Sequence, residues 1–140
     1  TLERSSAASD VYKRQVYYED TDAGGVVYYA NYLKFLERAR SEAIYELGYS
    51  NIDLKKKFGV LIIVKSCNID YKSPALFEDT LKIISSIDKI SKTSFTMKQN
   101  IKRDEEIIAV SNVNLVSVNL DGKPIKIPGE LNNVLKKFIN

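Results

Sequence analysis

Only one long stretch of this chain repeats at helical spacing. Over residues 30–47 the apolar positions Leu33, Leu36, Ala39, Ala43, Ile44 and Leu47 recur three and four apart, which puts them on one face of an amphipathic helix. Asn31 stands where a cap belongs at its start, and Gly48 where one belongs at its end. From residue 60 the chain is β-rich almost to the C-terminus. Residues 60–65, 68–72, 80–90, 93–102 and 106–120 read as strands, with Ser91-Lys92 as a hairpin and Asp121-Gly122 as a turn. Within 106–120 the apolar parity shifts between Leu115 and Val116, the mark of a bulge or of a strand covered on both faces. Residues 16–18 fit a short strand and 131–139 a short amphipathic tail helix. One helix cannot cover both faces of a sheet that wide. A curved antiparallel sheet of about five strands wrapped around one long helix, with neighbouring subunits over the remainder, solves the burial problem. The expected class is α+β.

The chain has 140 residues, which suits a single domain. The domain is expected over residues 16–140. Residues 1–15, TLERSSAASDVYKRQ, are small and polar without sustained period, and disorder is expected there. The string SSAASDVYKRQ also resembles a translated sequencing-adaptor scar, so this segment is read as a non-native or disordered tail.

Composition removes several chemistries. The chain contains no histidine, which excludes histidine-based metal sites and the Ser-His and Cys-His pairs. Catalysis then falls to carboxylate, phenol, lysine, hydroxyl or backbone, and any acid limb of a rate–pH profile belongs to a carboxylate. A net charge of +3 is too small to argue for nucleic acid. The single cysteine, Cys67, forms no internal disulfide and favours a reducing compartment. No apolar run approaches the ~20 residues of a membrane span. A cytoplasmic protein without an integral membrane segment is expected.

Residues 17–29 read YYEDTDAGGVVYY. Three acids (Glu19, Asp20, Asp22) precede a Gly24-Gly25 joint, and two tyrosine pairs bracket the whole. From spacing alone, Asp22 reads as a turn residue or a helix cap. Glu19 and Asp20 read as solvated acids at a strand end.

The longer segment VYYEDTDAGGVVYYANYLKFLERAR resembles the signature of the hotdog-fold 4-hydroxybenzoyl-CoA thioesterase family, most of all its Tol–Pal-associated acyl-CoA thioesterase branch. NIDYKSPALFEDTLKI and NLVSVNLDGKPIKIP are similar to the same family, so the likeness covers about residues 16–130. The resemblance implies a hotdog fold, dimers or larger homo-oligomers such as a homotetramer, and hydrolysis of acyl-CoA thioesters with no metal and no bound cofactor. It places the catalytic aspartate on Asp22, a tyrosine four residues earlier on Tyr18, and the position opening the long helix on Tyr29. In the Tol–Pal-associated branch that last position is commonly histidine. In the hydroxybenzoyl branch it can be tyrosine, with the backbone N–H doing the work.

These implications give a mechanism to look for. Asp22 serves as nucleophile or as base for water. Unpaired N–H groups at the helix start, near Tyr29, polarise the thioester carbonyl. Tyr18 either orients Asp22 or lines the pocket. Gly25 and Val27 border the substrate, and Lys92 resembles a basic residue that contacts CoA phosphates, although it is equally read as a solvated hairpin lysine. Glu37 is expected to pair on the surface with Lys34, Arg38 or Arg40. Cys67 is expected in the core, and Glu78 and Asp79 at a solvated strand entrance. The expected activity is hydrolysis of a small-to-medium acyl-CoA thioester. The alternative is a non-catalytic acyl-CoA or acyl-carrier binding module on the same fold, and a hotdog dehydratase or hydratase stands lower because those enzymes use histidine.

Overall fold

The computed structural model describes residues 9–139. Five strands form one antiparallel sheet: β1 (Asp10–Gln15), β2 (Leu61–Tyr71), β3 (Thr80–Ile90), β4 (Ser94–Arg103) and β5 (Glu106–Val118), in the spatial order β1-β3-β4-β5-β2. Helix α1 (Asn31–Glu46) lies on the concave face, with α2 (Asn51–Phe58) after it and α3 (Gly129–Leu135) near the C-terminus. This is the hotdog arrangement of α+β class that the resemblance implies.

Helix α1 buries Tyr32, Phe35, Leu36, Ala39, Ala43 and Ile44. The stripe read from the sequence is therefore rotated at its start: Leu33 is exposed, while the aromatic rings of Tyr32 and Phe35 turn inward. Rings dominate core burial because they remove more apolar area than a leucine. One core cluster gathers Val16, Val27, Ala75, Leu81 and Ile83 under the first half of α1. A second gathers Leu54, Ile87, Phe95, Met97 and Leu135 under its second half. The helix ends with Leu47 as its C-cap, and Gly48 follows at φ +101°, a backbone that glycine adopts without penalty.

Four readings are corrected. Residues 10–15, expected to be disordered, form β1 and pair with β3 in register from Asp10↔Ser85 to Gln15↔Thr80. A six-residue edge strand is made by its neighbour's backbone, not by its own periodicity; residues 1–8 lie outside the described ones. No strand forms at 16–18: residues 16–17 carry no regular structure and Tyr18 opens a 3₁₀ turn, Tyr18–Asp20. The segments 60–65 and 68–72 are one strand, broken in register only between Val64 and Ser66, where Lys65 is the extra residue. Residues 51–58, read as a polar connection, form α2. Its start is a capping box in which Ser50 Oγ accepts from Asp53 N and Asp53 Oδ2 from Ser50 N, both at 3.0 Å.

The parity shift in β5 resolves as a strand covered on both faces: Leu115, Val116, Ser117 and Val118 are all buried. Strand β3 matches the expected bounds. The expected tail helix is α3 followed by a 3₁₀ turn, Lys136–Phe138.

Candidate active site

The loop between β1 and α1 folds back on itself. An antiparallel bridge joins Thr21 to Val27 and a second joins Val26 to Leu76. Asp22 N–H donates to Val26 O at 2.9 Å, and Gly25 N–H to Asp22 O at 3.0 Å. Gly25 sits at φ +80°, which a side-chain-bearing residue enters only at a cost of roughly 1–2 kcal/mol. The turn thus places Asp22 beside the strand that runs through Val27 into α1. Its carboxylate is exposed, and its Oδ1 accepts the Gly24 N–H at 2.8 Å. An ionised carboxylate keeps further lone pairs after that one bond.

The other half of the site is the start of α1. Asn31 N–H donates to Tyr28 O and Tyr32 N–H to Tyr29 O, so the chain is already coiling at Tyr28. Among the described residues, the Tyr29 and Ala30 backbone N–H groups donate to no protein acceptor. Free N–H groups at a helix start, with the positive end of the dipole behind them, suit an oxygen that gains negative charge. The Tyr29 ring is exposed and lies 4.9 Å from that of Tyr28, while Tyr71 Oη donates to Tyr29 O at 3.3 Å.

Asp20 overturns its reading as a solvated acid. It is buried, and its side chain is 7% exposed against Arg14 Nη2 at 3.3 Å. Asp20 Oδ2 also accepts from Tyr17 N at 2.9 Å. Its carbonyl oxygen takes the Tyr28 N–H at 3.0 Å and the Asn31 Nδ2–H at 2.9 Å. One residue therefore ties β1, the turn and α1 together. Asn31, read as a cap, is the first helical residue; Ala30 holds the N-cap position, and the Asn31 amide reaches back to Asp20 instead. The signal that was available is the basic residue six positions before Asp20, but nothing in the sequence says that the backbone reverses between them. Glu19, by contrast, is exposed.

The remaining candidates separate. Tyr18 is 80% exposed and its ring packs edge-on against Phe77 at 5.9 Å; its carbonyl, not its hydroxyl, binds the loop, through Thr21. Val27 is buried and its N–H donates to Ala75 O. Lys92 is exposed on the β3–β4 hairpin, at the opposite end of an 11-residue strand from Asp79 and Val16, about 35 Å away at 3.3 Å per residue. It does not meet Asp22 within one chain. Glu37 bonds Ser41 Oγ at 2.7 Å rather than a basic neighbour. Cys67 is half-buried, its sulfur 3.6 Å from Ser111 Oγ. Glu78 is exposed at φ +72°, whereas Asp79 pairs with Arg103; hydrogen bonds to Glu106 first and then to Asp79 hold the Arg103 guanidinium well above its ordinary pKa. No group of three or more potential metal ligands occurs among the described residues, and none of their helices is long and apolar enough to cross a membrane.

Residues 16–137 match the family model described as the Thioesterase-like superfamily. The acyl-CoA thioesterase YbgC of Haemophilus influenzae is 35% identical over 118 residues, covering 84% of this chain and 87% of that protein. The Escherichia coli acyl-CoA thioester hydrolase YbgC is 38% identical over 116 residues, covering 81% and 86%. A probable thioesterase from Bartonella henselae superposes with a TM-score of 0.83 at 32% identity, covering 86% of this chain and all of that one. With a family model spanning nearly the whole described domain and relatives of such identity over most of their length, this chain belongs to the Thioesterase-like superfamily.

Proposed function

We propose that this protein is an acyl-CoA thioesterase that hydrolyses small-to-medium acyl-CoA thioesters, with Asp22 as nucleophile or general base and the start of α1, at Tyr29, polarising the carbonyl. The observation that carries this reading is an exposed, singly bonded Asp22 carboxylate on the loop that leads into α1, where the Tyr29 and Ala30 N–H groups just before the helix donate to no acceptor among the described residues. The relatives whose names state acyl-CoA thioester hydrolysis support the substrate class.

In this mechanism the thioester oxygen faces the Tyr29 N–H. Either Asp22 removes a proton from water, whose oxygen then adds to the carbonyl carbon, or the Asp22 oxygen adds directly and water later cleaves the resulting anhydride. In both cases the C–S bond breaks and CoA leaves as its thiolate. Losing one oxyanion donor typically costs roughly 3 kcal/mol of transition-state stabilisation. The exposed phenols of Tyr18, Tyr28 and Tyr29 flank the approach, with Gly25 leaving room beside them.

A homodimer, alone or within a tetramer, belongs to this proposal. Strand β2 is an outer strand of the sheet, and Ile63 and Val64 on it are 45% and 47% exposed. A long apolar edge is a pairing surface, and a second copy would cover it. Lys92 would reach CoA phosphates near an Asp22 only from such a copy. The single cysteine suits a reducing cytoplasm.

Thiol release from short-chain, long-chain and aromatic acyl-CoAs, measured beside Asp22→Asn, tests the proposal. Hydrolysis of at least one substrate, abolished in the variant, is expected. Saturable CoA-ester binding with no thiol release would leave the binding module instead.

A further inference from the structure

The two halves of the site meet at one asparagine. Asp20 O stands two residues before Asp22 and accepts twice, from Tyr28 N–H at 3.0 Å and from Asn31 Nδ2–H at 2.9 Å. A carbonyl oxygen has two lone pairs, so both are used. Asn31 also holds the helix start through its backbone, whose N–H donates to Tyr28 O at 2.8 Å. That oxygen belongs to the same planar peptide unit as the Tyr29 N–H. The bond therefore sets the direction in which the Tyr29 N–H points, and it polarises that N–H from the opposite side of the unit. Asn31 thus grips the peptide that carries the donor with its backbone, and the turn that leads into Asp22 with its side chain.

The helix has no use for this side chain. Ala30 is the N-cap, no side chain caps α1, and asparagine is a poorer helix former than alanine. What the Asn31 amide reaches is a fixed point. Asp20 Oδ2 takes the Tyr17 N–H at 2.9 Å, and its carboxylate pairs with Arg14 on β1. The segment beyond it is different: residues 22–25 are exposed, and Asp22 is held there by bonds within its own turn, to Val26 O, Gly25 N–H and Gly24 N–H. An exposed loop closed by its own bonds opens readily. The half-buried Asn31, bonded at the root of that loop, sets where the carboxylate stands relative to the helix start.

We infer that Asn31 is a positioning residue: its side-chain amide fixes the spacing between the Asp22 carboxylate and the Tyr29 N–H. It acts through the Asp20 carbonyl on one side and the Tyr28 carbonyl on the other. The effect on rate rests on the thioesterase reading above; the tie between loop and helix does not.

Asn31→Ala removes the side-chain tie and leaves the backbone one. Its kcat for thiol release is expected to fall about tenfold, since a 1 Å misplacement can cost roughly a hundredfold. KM is expected to stay within about twofold, the pattern of an interaction that matters in the transition state, and the melting temperature close to that of the native protein. A residue of merely structural worth gives another pattern: a lower melting temperature with kcat per folded molecule and KM both kept. The second readout is amide exchange, followed by NMR in protein carrying ¹⁵N-tyrosine. In Asn31→Ala the Tyr28 N–H is expected to exchange about tenfold faster, because the junction it closes opens more often, while Tyr45, at the far end of the same helix, keeps its rate. If Asn31→Ala does not fold, Asn31→Ser carries the same two readouts, because its hydroxyl stops short of the amide nitrogen's place. An unchanged kcat, a change in KM alone, or a Tyr28 exchange rate that does not move overturns the inference. So does a Tyr28 amide in the native protein that exchanges as fast as an unbonded one. Asp22-dependent thiol release with Asn31→Ala matching the native protein in both readouts removes this role and leaves the thioesterase reading standing. Faster Tyr28 exchange in Asn31→Ala, with no thiol release from any acyl-CoA by the native protein, removes the thioesterase reading and leaves the tie.

Discussion

Asp22 and Gly24 share one oxygen: the Gly24 N–H donates to Asp22 Oδ1 at 2.8 Å, and a Cβ built on Gly24 would stand 3.2 Å from that same atom. The bond aims the carboxylate, and the missing side chain leaves room for it. Gly24→Ala should therefore displace the Asp22 carboxylate by a few tenths of an ångström while the surrounding fold persists, because the loop is exposed. The expected result is a fall in kcat of about tenfold, since misplacement by 1 Å can cost roughly a hundredfold, with a melting temperature close to that of the native protein. An unchanged kcat would separate the Gly24 contact from catalysis.

Asp22→Ala and Asp22→Asn should both fold, because the side chain is exposed and is held by a backbone N–H of its own turn. Loss of a positioned base or nucleophile costs about 10²–10⁴ in rate. Circular dichroism and thiol release on the same preparations check the two halves of this statement.

Asp20 predicts the opposite pattern from its neighbour two residues on. Asp20→Asn keeps an oxygen for Tyr17 N–H but leaves Arg14, whose side chain is 19% exposed, facing a neutral group. The expected destabilisation is about 2–3 kcal/mol, below the figure for a fully buried pair because Arg14 retains some water. It should appear as a lower urea midpoint with an unchanged slope.

The start of α2 gives a pH-dependent term. Hydrogen bonds from Ser50 hold the Asp53 carboxyl below its ordinary value of 3.8. A carboxyl depressed in the folded state stabilises the protein fully above its unfolded pKa, and that contribution is lost as pH falls through the folded one. The melting temperature of Asp53→Asn should therefore lie below that of the native protein at pH 7, and the two should converge as the pH is taken below 3.8. A constant gap down to acid pH would show that the charge of Asp53 contributes nothing.

Where the sequence was legible, the reason is local. A helix with one apolar stripe over a run of β-branched segments admits few architectures, and the bounds of α1 and β3 follow from periodicity within a single element. The motif around Asp22 was readable because a Gly-Gly joint next to an acid announces a tight turn by its own chemistry. Those signals need no knowledge of what lies across the molecule.

Most features that escaped have their cause in a partner distant in the chain; α2, with its Ser50–Asp53 capping box, and the rotated stripe of α1 are local exceptions. Strand β1 exists because β3 supplies its hydrogen bonds. Leu33 faces solvent because two rings on the same helix take its place. Asp20 is buried because the turn folds it between Arg14 and Asn31, and Lys92 lies far from Asp22 because a whole strand runs between them. Arg40 reads in sequence as one charge among several on a wet helix face; only the sheet beneath it, bringing Gln99 up from β4, makes it a desolvated cation. The sequence alone determined which residues can do chemistry and the main elements, the long helix α1 and the strands from residue 60 on, since both are properties of side chains and short spacing. Which of those residues meet, which are dry and what space is left between them were decided by tertiary packing, because burial and charge pairing are set by atoms tens of residues away.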